Sequence, residues 1–544
     1  MRMKPHLSDY EPLVKPGSYE VSGAESEAES WSDLGRENSG GSSDEEKAVK
    51  WVRKYSRGTQ RLEAPDKFIL GQTPLTPAPQ SGSTDFAVGT ISNQAKANGN
   101  SLGQESTDDR WILKPGHALT YSALFLFTII LYVRPAELYP SRWTASIALL
   151  VGVLTLALFI PSQLSLESRL TARPREINLI LLLCLTGLLS IPLAVNPGEA
   201  WTAFGDTFIR CIVIFIVMVN VVRTETRLKG LLLLAVLVSI WLSVGAINDY
   251  RLGLTTVEGY RVAGWGGGIF GNPNDMALHL VTIVPIVVAL IFATRSIVLK
   301  CVYGVCAGLM VGAIVVSYSR GGFVGLLAAF GILVWKLGRR RRLAIGVLAI
   351  IVIGLFLVLA PGNYAMRLAS IFIPSLDPVG SSSMRREILY RSLWTAMRHP
   401  LFGIGMGNFH NVSLQELVSH NAYTQVAAEM GVVALICYTM FIVTPFRRLG
   451  QIASETFRKQ DKSRYYYLSI GLQASLLGYM VCSFFASVAY LWYVYYLVGY
   501  AVCLRRLYES EVGKPVVLEK RKPAESMRKE GEGFPAALES ESAS

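Results

Sequence analysis

Three residues of this sequence have the side chains and positions to carry out chemistry next to a membrane. His420 precedes Asn421 and a long apolar run, so its imidazole is predicted to lie at a helix start on the membrane surface. A neutral imidazole there can accept a proton from a hydroxyl group, and the positive end of a helix favours the neutral form. Arg261 and Arg320 lie in two other loops between apolar runs. Two guanidinium groups converging on one cavity could hold a diphosphate without a metal ion.

Each of these side chains also has an ordinary structural explanation. A histidine at a helix start is common on protein surfaces, and residue type alone favours that explanation for His420. Arg320 adjoins an apolar run, so its side chain could simply extend to the polar interface. Asp206 and Arg210 lie four residues apart inside another run, where pairing with each other is favoured over contact with a substrate. The chemical interpretation therefore depends on which loops share one side of the membrane.

Glycines surround the histidine segment. Gly403, Gly405 and Gly407 alternate with other residues before His420, and Gly431 follows it. Glycine has no Cβ, so this pattern permits tight backbone turns and the close approach of a ligand. The sequence therefore predicts an irregular, glycine-rich segment next to the candidate base.

The elements that must position these residues are apolar helices. The chain has 544 residues, of which 51% are hydrophobic and 17% are charged, so it is too apolar for an ordinary soluble enzyme. A helix needs about 20 residues to cross the hydrocarbon core. Suitable runs predict an all-α polytopic membrane protein with about 12 transmembrane helices, at about 118–133, 143–160, 177–195, 201–222, 230–247, 275–294, 297–317, 321–337, 343–360, 422–445, 466–486 and 488–504.

The distribution of Lys and Arg predicts the orientation of these helices. The net charge is +12, but the basic residues cluster in alternate short loops, such as 336–342 and 447–464, rather than forming a nucleic-acid-binding patch. Loops rich in Lys and Arg face the cytoplasm. This rule predicts that both termini are cytoplasmic and that Arg261, Arg320 and His420 share the opposite face.

Three regions differ in composition. Residues 1–115 are rich in Ser, Gly and Glu and lack the apolar residues that offset chain entropy, which predicts a disordered cytoplasmic tail. Residues 116–508 form the predicted transmembrane domain, and residues 509–544 a second disordered cytoplasmic tail. One long outer loop, 361–421, joins the ninth and tenth spans, and long loops are usually functional. Within it, residues 384–398 have the apolar spacing of a helix that could lie at the membrane surface.

Three segments resemble the O-antigen ligase and O-antigen polymerase family of bacterial envelopes. They are Arg261 to Asn274, then Ser319-Arg320-Gly321-Gly322, then His399 to Phe409 leading to His420-Asn421 and Gly431. The third segment is the most specific, because this order of elements ahead of a span is the recognisable core of the family. The resemblance covers roughly residues 118–505, and the long N-terminal tail departs from it.

The resemblance implies a glycosyltransferase of the bacterial inner membrane that needs no metal ion and no cofactor. Such enzymes take a glycan from undecaprenyl diphosphate at the periplasmic face and transfer it to a glycan, lipid or protein acceptor. His420 matches the catalytic histidine of the family, Arg261 and Arg320 match its diphosphate-binding arginines, and Arg385 and Arg386 compete for the place of a further arginine. The supporting residues in the matching segments are Asn274, Gly403, Gly405, Gly407, Asn421 and Gly431.

Two other functions remain open. A polymerase of the same family would extend lipid-linked repeats with the same residues, and the motifs do not separate it from a ligase. A polysaccharide flippase or another transporter would also suit twelve spans. Transporters usually show charged or broken spans near the midplane and an internal repeat. Because Asp206 and Arg210 are the charges recognised inside the spans and no repeat is found, the sequence favours the enzyme.

Overall fold

The computed structural model describes residues 116–255, 260–264, 270–338, 381–458 and 464–512. Within these ranges the regular secondary structure is helical, without a β-strand. The main helices are α1 (Ala118–Val133), α2 (Arg142–Glu167), α3 (Arg175–Ser190), α4 (Pro197–Val221), α5 (Glu225–Arg251), α6 (Pro273–Ala293), α7 (Ile297–Val316), α8 (Arg320–Leu337), α9 (Ser381–Arg398), α10 (Ala422–Arg458), α11 (Arg464–Cys482) and α12 (Trp492–Val512).

Among the described residues, ten helices are long and apolar enough to cross a membrane: α1 to α8, α10 and α11. This confirms the prediction of an all-helical, multi-pass membrane protein. The span predicted at 343–360 lies outside the described residues, as do the tail 1–115 and residues 361–380 of the loop 361–421. The last predicted span, 488–504, corresponds to α12, whose many tyrosines and two arginines make it less apolar than the ten.

Several helices extend beyond their predicted bounds; α2, predicted at 143–160, runs from Arg142 to Glu167, and α10, predicted at 422–445, runs to Arg458. α12 continues to Val512, past the predicted domain end at residue 508, so only residues 513–544 of the predicted C-terminal tail lie outside the described residues. The surface helix predicted at 384–398 is present as α9, from Ser381 to Arg398. Hydropathy alone sets these bounds too short, because polar residues at helix ends continue the backbone hydrogen-bonding pattern outside the apolar stretch.

Three helices approach one another so closely that glycine is required at their contacts. A Cβ added to Gly325 of α8 would lie 2.2 Å from Cys482 Sγ of α11, and one added to Gly322 of α8 would lie 2.8 Å from Ala277 Cβ of α6. Lipid tails are as apolar as the helices, so close van der Waals packing at small residues is what drives such helices together. The first turns of α6 and α8 are thereby held side by side at one end of the bundle.

A cavity of about 660 Å³ opens between α1, α2, α4 and the start of α12. Its walls are mostly apolar, but Arg134, Glu137, Asp206 and Arg210 also line it. Arg210 Nη2 lies 3.0 Å from Asp206 Oδ1, so the two side chains form the pair that their spacing predicts. Asp206 belongs to a π-helical turn, Phe204–Phe208, a distortion that is frequent at functional sites.

Candidate functional site

Arg261 is a buried arginine that connects three parts of the chain. Its Nε donates to the Ser317 carbonyl oxygen at 3.0 Å, and its Nη2 donates to Asn274 Oδ1 at 2.8 Å. Asn274 lies in the first turn of α6, and Ser317 directly follows α7. The planar guanidinium can serve both acceptors at once because its donors are held in a fixed fork.

Asn274 also links Arg261 to the start of α8. The Ser319 hydroxyl donates to Asn274 Oδ1 at 2.9 Å and accepts from the backbone N–H of Gly322 at 3.2 Å, which caps α8. Arg320 is the next residue, half-buried in the first helical turn. One amide oxygen of Asn274 thus contacts Arg261 directly and reaches the turn before Arg320 through Ser319. We call Arg261, Asn274, Ser319 and Arg320 the arginine cluster.

The backbone beside the arginine cluster is strained. Tyr318 has a φ of 50°, which is uncommon for a residue other than glycine, and its ring packs edge-on against Tyr260 with the ring centroids 5.3 Å apart. Such strain persists only where the surroundings impose it, and it clusters at ligand sites. Gly321 is required nearby, because an added Cβ would lie 2.9 Å from Phe485 Cβ.

His420 lies directly before α10, as its sequence position predicts. Asn421 Oδ1 accepts from the backbone N–H groups of Tyr423 at 2.9 Å and Thr424 at 3.1 Å, and so caps the helix. Burial and, as the smaller cause, the positive charge of Arg385 together lower the pKa of His420 to about 4. The imidazole is therefore neutral at neutral pH. Burial and Arg385 account for this neutrality, whereas the sequence interpretation assigned it to the helix N-terminus.

The structure separates the two competing arginines of α9. Arg385 is half-buried and its charge acts on His420, whereas Arg386 is exposed. α9 is held by Ile388, which is fully buried against Phe409 and Ala428. Of the two candidates, Arg385 is thus the one placed near the histidine.

We expect Arg385→Gln to shift the pH dependence of the reaction. Removal of the positive charge raises the pKa of His420 from about 4 toward 6.5, because a like charge disfavours protonation. Activity that needs the neutral imidazole is lost as pH falls through this pKa, so the acidic limb of the rate profile should move to higher pH. Initial rates of glycan transfer measured from pH 4 to 8 test this. Arg386→Gln should leave the limb in place, and equal shifts in both variants would contradict the assignment.

The glycine-rich segment packs on a break in α10. Gly431 has a φ of 86°, outside the helical range, so the carbonyl groups of Ala428 and Glu429 are open to partners from another segment. The backbone N–H groups of Ile404 and Gly405 donate to these two carbonyl groups, at 2.9 and 3.0 Å. The break in the helix and the irregular loop thus satisfy each other's backbone hydrogen bonds, as buried polar groups require.

The predicted glycines are surrounded by this protein's own backbone rather than by open space. Gly403, Gly405 and Gly407 all have positive φ. A Cβ on Gly403 would lie 2.2 Å from the Glu429 carbonyl carbon, and one on Gly431 would lie 2.2 Å from the Leu401 carbonyl oxygen. The room left by the missing side chains therefore serves the packing of the loop on α10, and the positive φ values agree with the tight turns that the sequence interpretation allowed. The close approach of a ligand, which it also allowed, stays a prediction.

We expect Gly405→Ala to destabilise the protein and inactivate it. Gly405 has a φ of 100°, and an added Cβ would lie 2.2 Å from Ala194 Cβ. Backbone strain of this kind costs about 1–3 kcal/mol, before any cost of the overlap. The midpoint of thermal unfolding in detergent measures the effect. Gly331→Ala in α8 is the matched control, because its added Cβ meets nothing within 4 Å, and an equal loss in both variants would contradict this explanation.

Glu429 is a buried carboxylate at the centre of this arrangement that the sequence interpretation missed. Its Oε2 accepts from the N–H of Gly407 at 2.9 Å, and its Oε1 accepts from the N–H of Phe409 at 3.3 Å. A carboxylate inside an apolar span is expensive and is a functional signal in itself. The sequence already showed this acidic residue inside the predicted span 422–445, two positions before Gly431. Glu429 is thus a further charge-bearing residue inside the spans, besides Asp206 and Arg210, which the sequence interpretation recognised.

A short turn between α11 and α12 contacts both halves of the site. Phe485 lies against the position of Gly321, next to Arg320, and the ring of Phe484 lies 4.6 Å from that of Tyr423, centroid to centroid. Ser483 in the same turn donates to the Tyr423 hydroxyl at 3.3 Å. The structure thus places the arginine cluster and the start of α10, which follows His420, at the same end of the bundle.

Fold and site together define a multi-pass, helical membrane protein with arginines and a neutral histidine at one end. Residues 305–439 match the family model described as O-antigen ligase. This match confirms the resemblance to the O-antigen ligase and polymerase family. The matched residues include Arg320, the glycine-rich segment and His420, while Arg261 and Asn274 lie outside them and are joined to them by hydrogen bonds. A search of curated proteins found no match.

Proposed function

We propose that this protein is a membrane glycosyltransferase that moves a glycan from undecaprenyl diphosphate to an acceptor hydroxyl at the periplasmic face. The observation that carries the proposal is the arginine cluster, in which Asn274 joins buried Arg261 to the turn that presents Arg320. The cluster lies at the same end of the bundle as a histidine kept neutral by burial and by Arg385. The O-antigen ligase match supports the class of reaction.

In the proposed reaction the arginines bind the leaving group. The bond between the anomeric carbon and the diphosphate oxygen breaks, and its electron pair leaves with the diphosphate. Negative charge on that oxygen therefore grows in the transition state, where Arg320, at the positive end of α8, and Arg261 stabilise it. These two guanidinium groups supply the positive charge, so the proposed step needs neither a metal ion nor a cofactor.

His420 is proposed as the general base of the same step. The acceptor hydroxyl attacks the anomeric carbon, forms the new glycosidic bond and loses its proton to the neutral imidazole. Arg385 would help to keep the imidazole unprotonated before the reaction. A single displacement of this kind inverts the configuration at the anomeric carbon. Asn421 and the glycines 403, 405, 407 and 431 would support the loop and helix start that hold His420.

We propose the bacterial inner membrane as the location, with about 12 spans, both termini in the cytoplasm and a periplasmic loop at 361–421. The concentration of Lys and Arg in alternate loops supports this orientation. The mostly apolar cavity between α1, α2 and α4 could accommodate the hydrocarbon chain of a lipid-linked substrate.

Cysteine labelling from the periplasm tests the orientation, because an introduced Gln415→Cys should react with a membrane-impermeant maleimide, whereas Arg458→Cys should not.

Purified protein in lipid vesicles tests the function directly. Vesicles containing undecaprenyl-diphosphate-linked glycan and an acceptor should form the glycosylated acceptor and release undecaprenyl diphosphate. A flippase would instead move the labelled lipid-linked glycan across the bilayer without any new covalent product, which would overturn the proposal. The same assay with a second lipid-linked glycan as the acceptor would reveal a polymerase.

Polysaccharide analysis of a deletion strain separates the two enzymes of the family. A ligase is the activity we propose first, and its loss should remove all attached glycan from the final acceptor. Loss of a polymerase would leave single repeat units attached and remove only the long chains. The site residues are the same in both cases, because the acceptor and not the diphosphate chemistry differs.

A further inference from the structure

Glu429 lies where three elements of the candidate site meet. Its carboxylate holds the N–H groups of Gly407 and Phe409 from within α10. The ring of Phe409 is buried together with Ile388 of α9 and Ala428 of α10. α9 carries Arg385 one helical turn before Ile388, and the charge of Arg385 acts on His420.

α9 depends on this contact for its position. Most of its apolar side chains face outward, including Tyr390, Trp394 and Met397, which are at least half exposed. Ile388 and Ser392 are its fully buried side chains, and α10 and the segment around Phe409 are what they pack against. A change in the position of Phe409 would therefore move or loosen the helix that carries Arg385.

We propose that Glu429 is a positioning residue that acts through Phe409 and Ile388 to set the place of Arg385 relative to His420. The inference rests on the proposed function, in which His420 is the base. Both carboxylate oxygens accept from backbone N–H groups, the Tyr490 and Gln425 side chains also interact with this carboxylate, and the side chain is buried. Glu429 therefore holds the loop and does not itself contact the acceptor or the diphosphate.

Replacement by glutamine should disturb this arrangement without changing the size of the side chain. An amide has one acceptor oxygen where the carboxylate has two, so one of the two N–H groups loses its partner and meets a competing donor instead. Phe409 is then held less firmly and α9 shifts. We expect Glu429→Gln to slow transfer by roughly 10- to 100-fold, since small misplacements in a site have effects of that size.

The decisive readout is the titration of His420, which a general loss of stability would not move in a defined direction. Among the described residues, Arg385 is the charged group whose field acts on His420. Glu429→Gln should raise the midpoint of this titration, in the same direction as Arg385→Gln and by less. NMR of the protein with isotope-labelled histidine measures the midpoint without any substrate. The inference about Glu429 can therefore fail while the proposed function stands, and the proposed function can fail while the inference stands.

A double variant separates this route from others. In the Arg385→Gln background, Glu429→Gln should cause no further shift of the His420 midpoint, because the two changes act through the same charge. A full additional shift, or a slower rate with an unmoved midpoint in the single variant, would overturn the proposal. Glu199→Gln is the control, because Glu199 contacts the same loop from its exposed side, through the Asn411 side chain.

Ile388→Ala provides a second test if the Glu429 variant does not fold. This change leaves the carboxylate and its two N–H partners in place and removes the apolar contacts of α9 with Phe409 and Ala428. The His420 midpoint should again rise. A midpoint equal to that of the unmodified protein would show that α9 is positioned by other contacts and would contradict the inference.

Discussion

Replacement of His420 by alanine is expected to lower the rate of glycan transfer by about 10²–10⁴-fold, the range that a general base contributes. The neutral imidazole is the only proton acceptor proposed for the acceptor hydroxyl, and alanine cannot replace it. Binding of the donor should change little, because the arginine cluster is attached to α6, α7 and α8 rather than to His420. Single-turnover transfer in vesicles, with donor binding measured separately, checks both expectations.

The His420 variant needs a control for damage to the fold. His420 has a φ of 52°, so part of any loss could come from a changed backbone rather than a missing base. His420→Asn introduces a residue that tolerates this backbone conformation and also removes the imidazole. Both variants should be equally slow and should unfold at nearly the unmodified temperature. Full transfer by either variant would exclude His420 as the base.

Replacement of Arg320 by alanine is expected to lower the maximal rate of transfer by about 10²–10³-fold. Charge that develops on the leaving diphosphate would lose a preorganised donor, and the loss of one such donor has effects of this size. The maximal rate of Arg320→Lys should lie between those of Arg320→Ala and the unmodified protein, because lysine keeps the positive charge but cannot form the paired hydrogen bonds of a guanidinium. Transfer rates over a range of donor concentrations distinguish this loss from weaker donor binding.

The matched control for Arg320 is Arg391→Ala. Arg391 is an exposed arginine of α9 whose Nε lies 3.5 Å from Glu387 Oε1. Exposed ion pairs contribute little to stability, so this variant should transfer glycan at the unmodified rate. If both variants lost activity equally, the effect would reflect net charge at the membrane surface rather than a diphosphate site at α8.

Local features of the chain were sufficient to predict most of the helices. The free energy of placing a residue in a bilayer depends mainly on its own side chain and on those of its neighbours in sequence. Apolar runs therefore identified helices such as α6 and α8 within a few residues of their observed bounds. The same argument set the end of α12 too early, because polar residues near Val512 continue the helix outside the apolar stretch.

The candidate site was predictable where a residue's role follows from its type and its place beside a helix. Arg320 at the start of α8 and His420 directly before α10 lie where the sequence puts them. The family resemblance, carried by these same segments, is confirmed by the match over residues 305–439. The assignment of the catalytic and binding roles stays a prediction that the variants above test.

By itself, the sequence determined that this is a multi-pass helical membrane protein and which arginines and histidine to consider, because hydropathy and residue type are local properties. Only the tertiary structure decided that Asn274 joins Arg261 to the turn before Arg320, and that Arg385 rather than Arg386 acts on His420. It also placed Glu429 beneath the glycine-rich loop. These relations depend on burial and on distances between segments far apart in the chain, which no local pattern encodes.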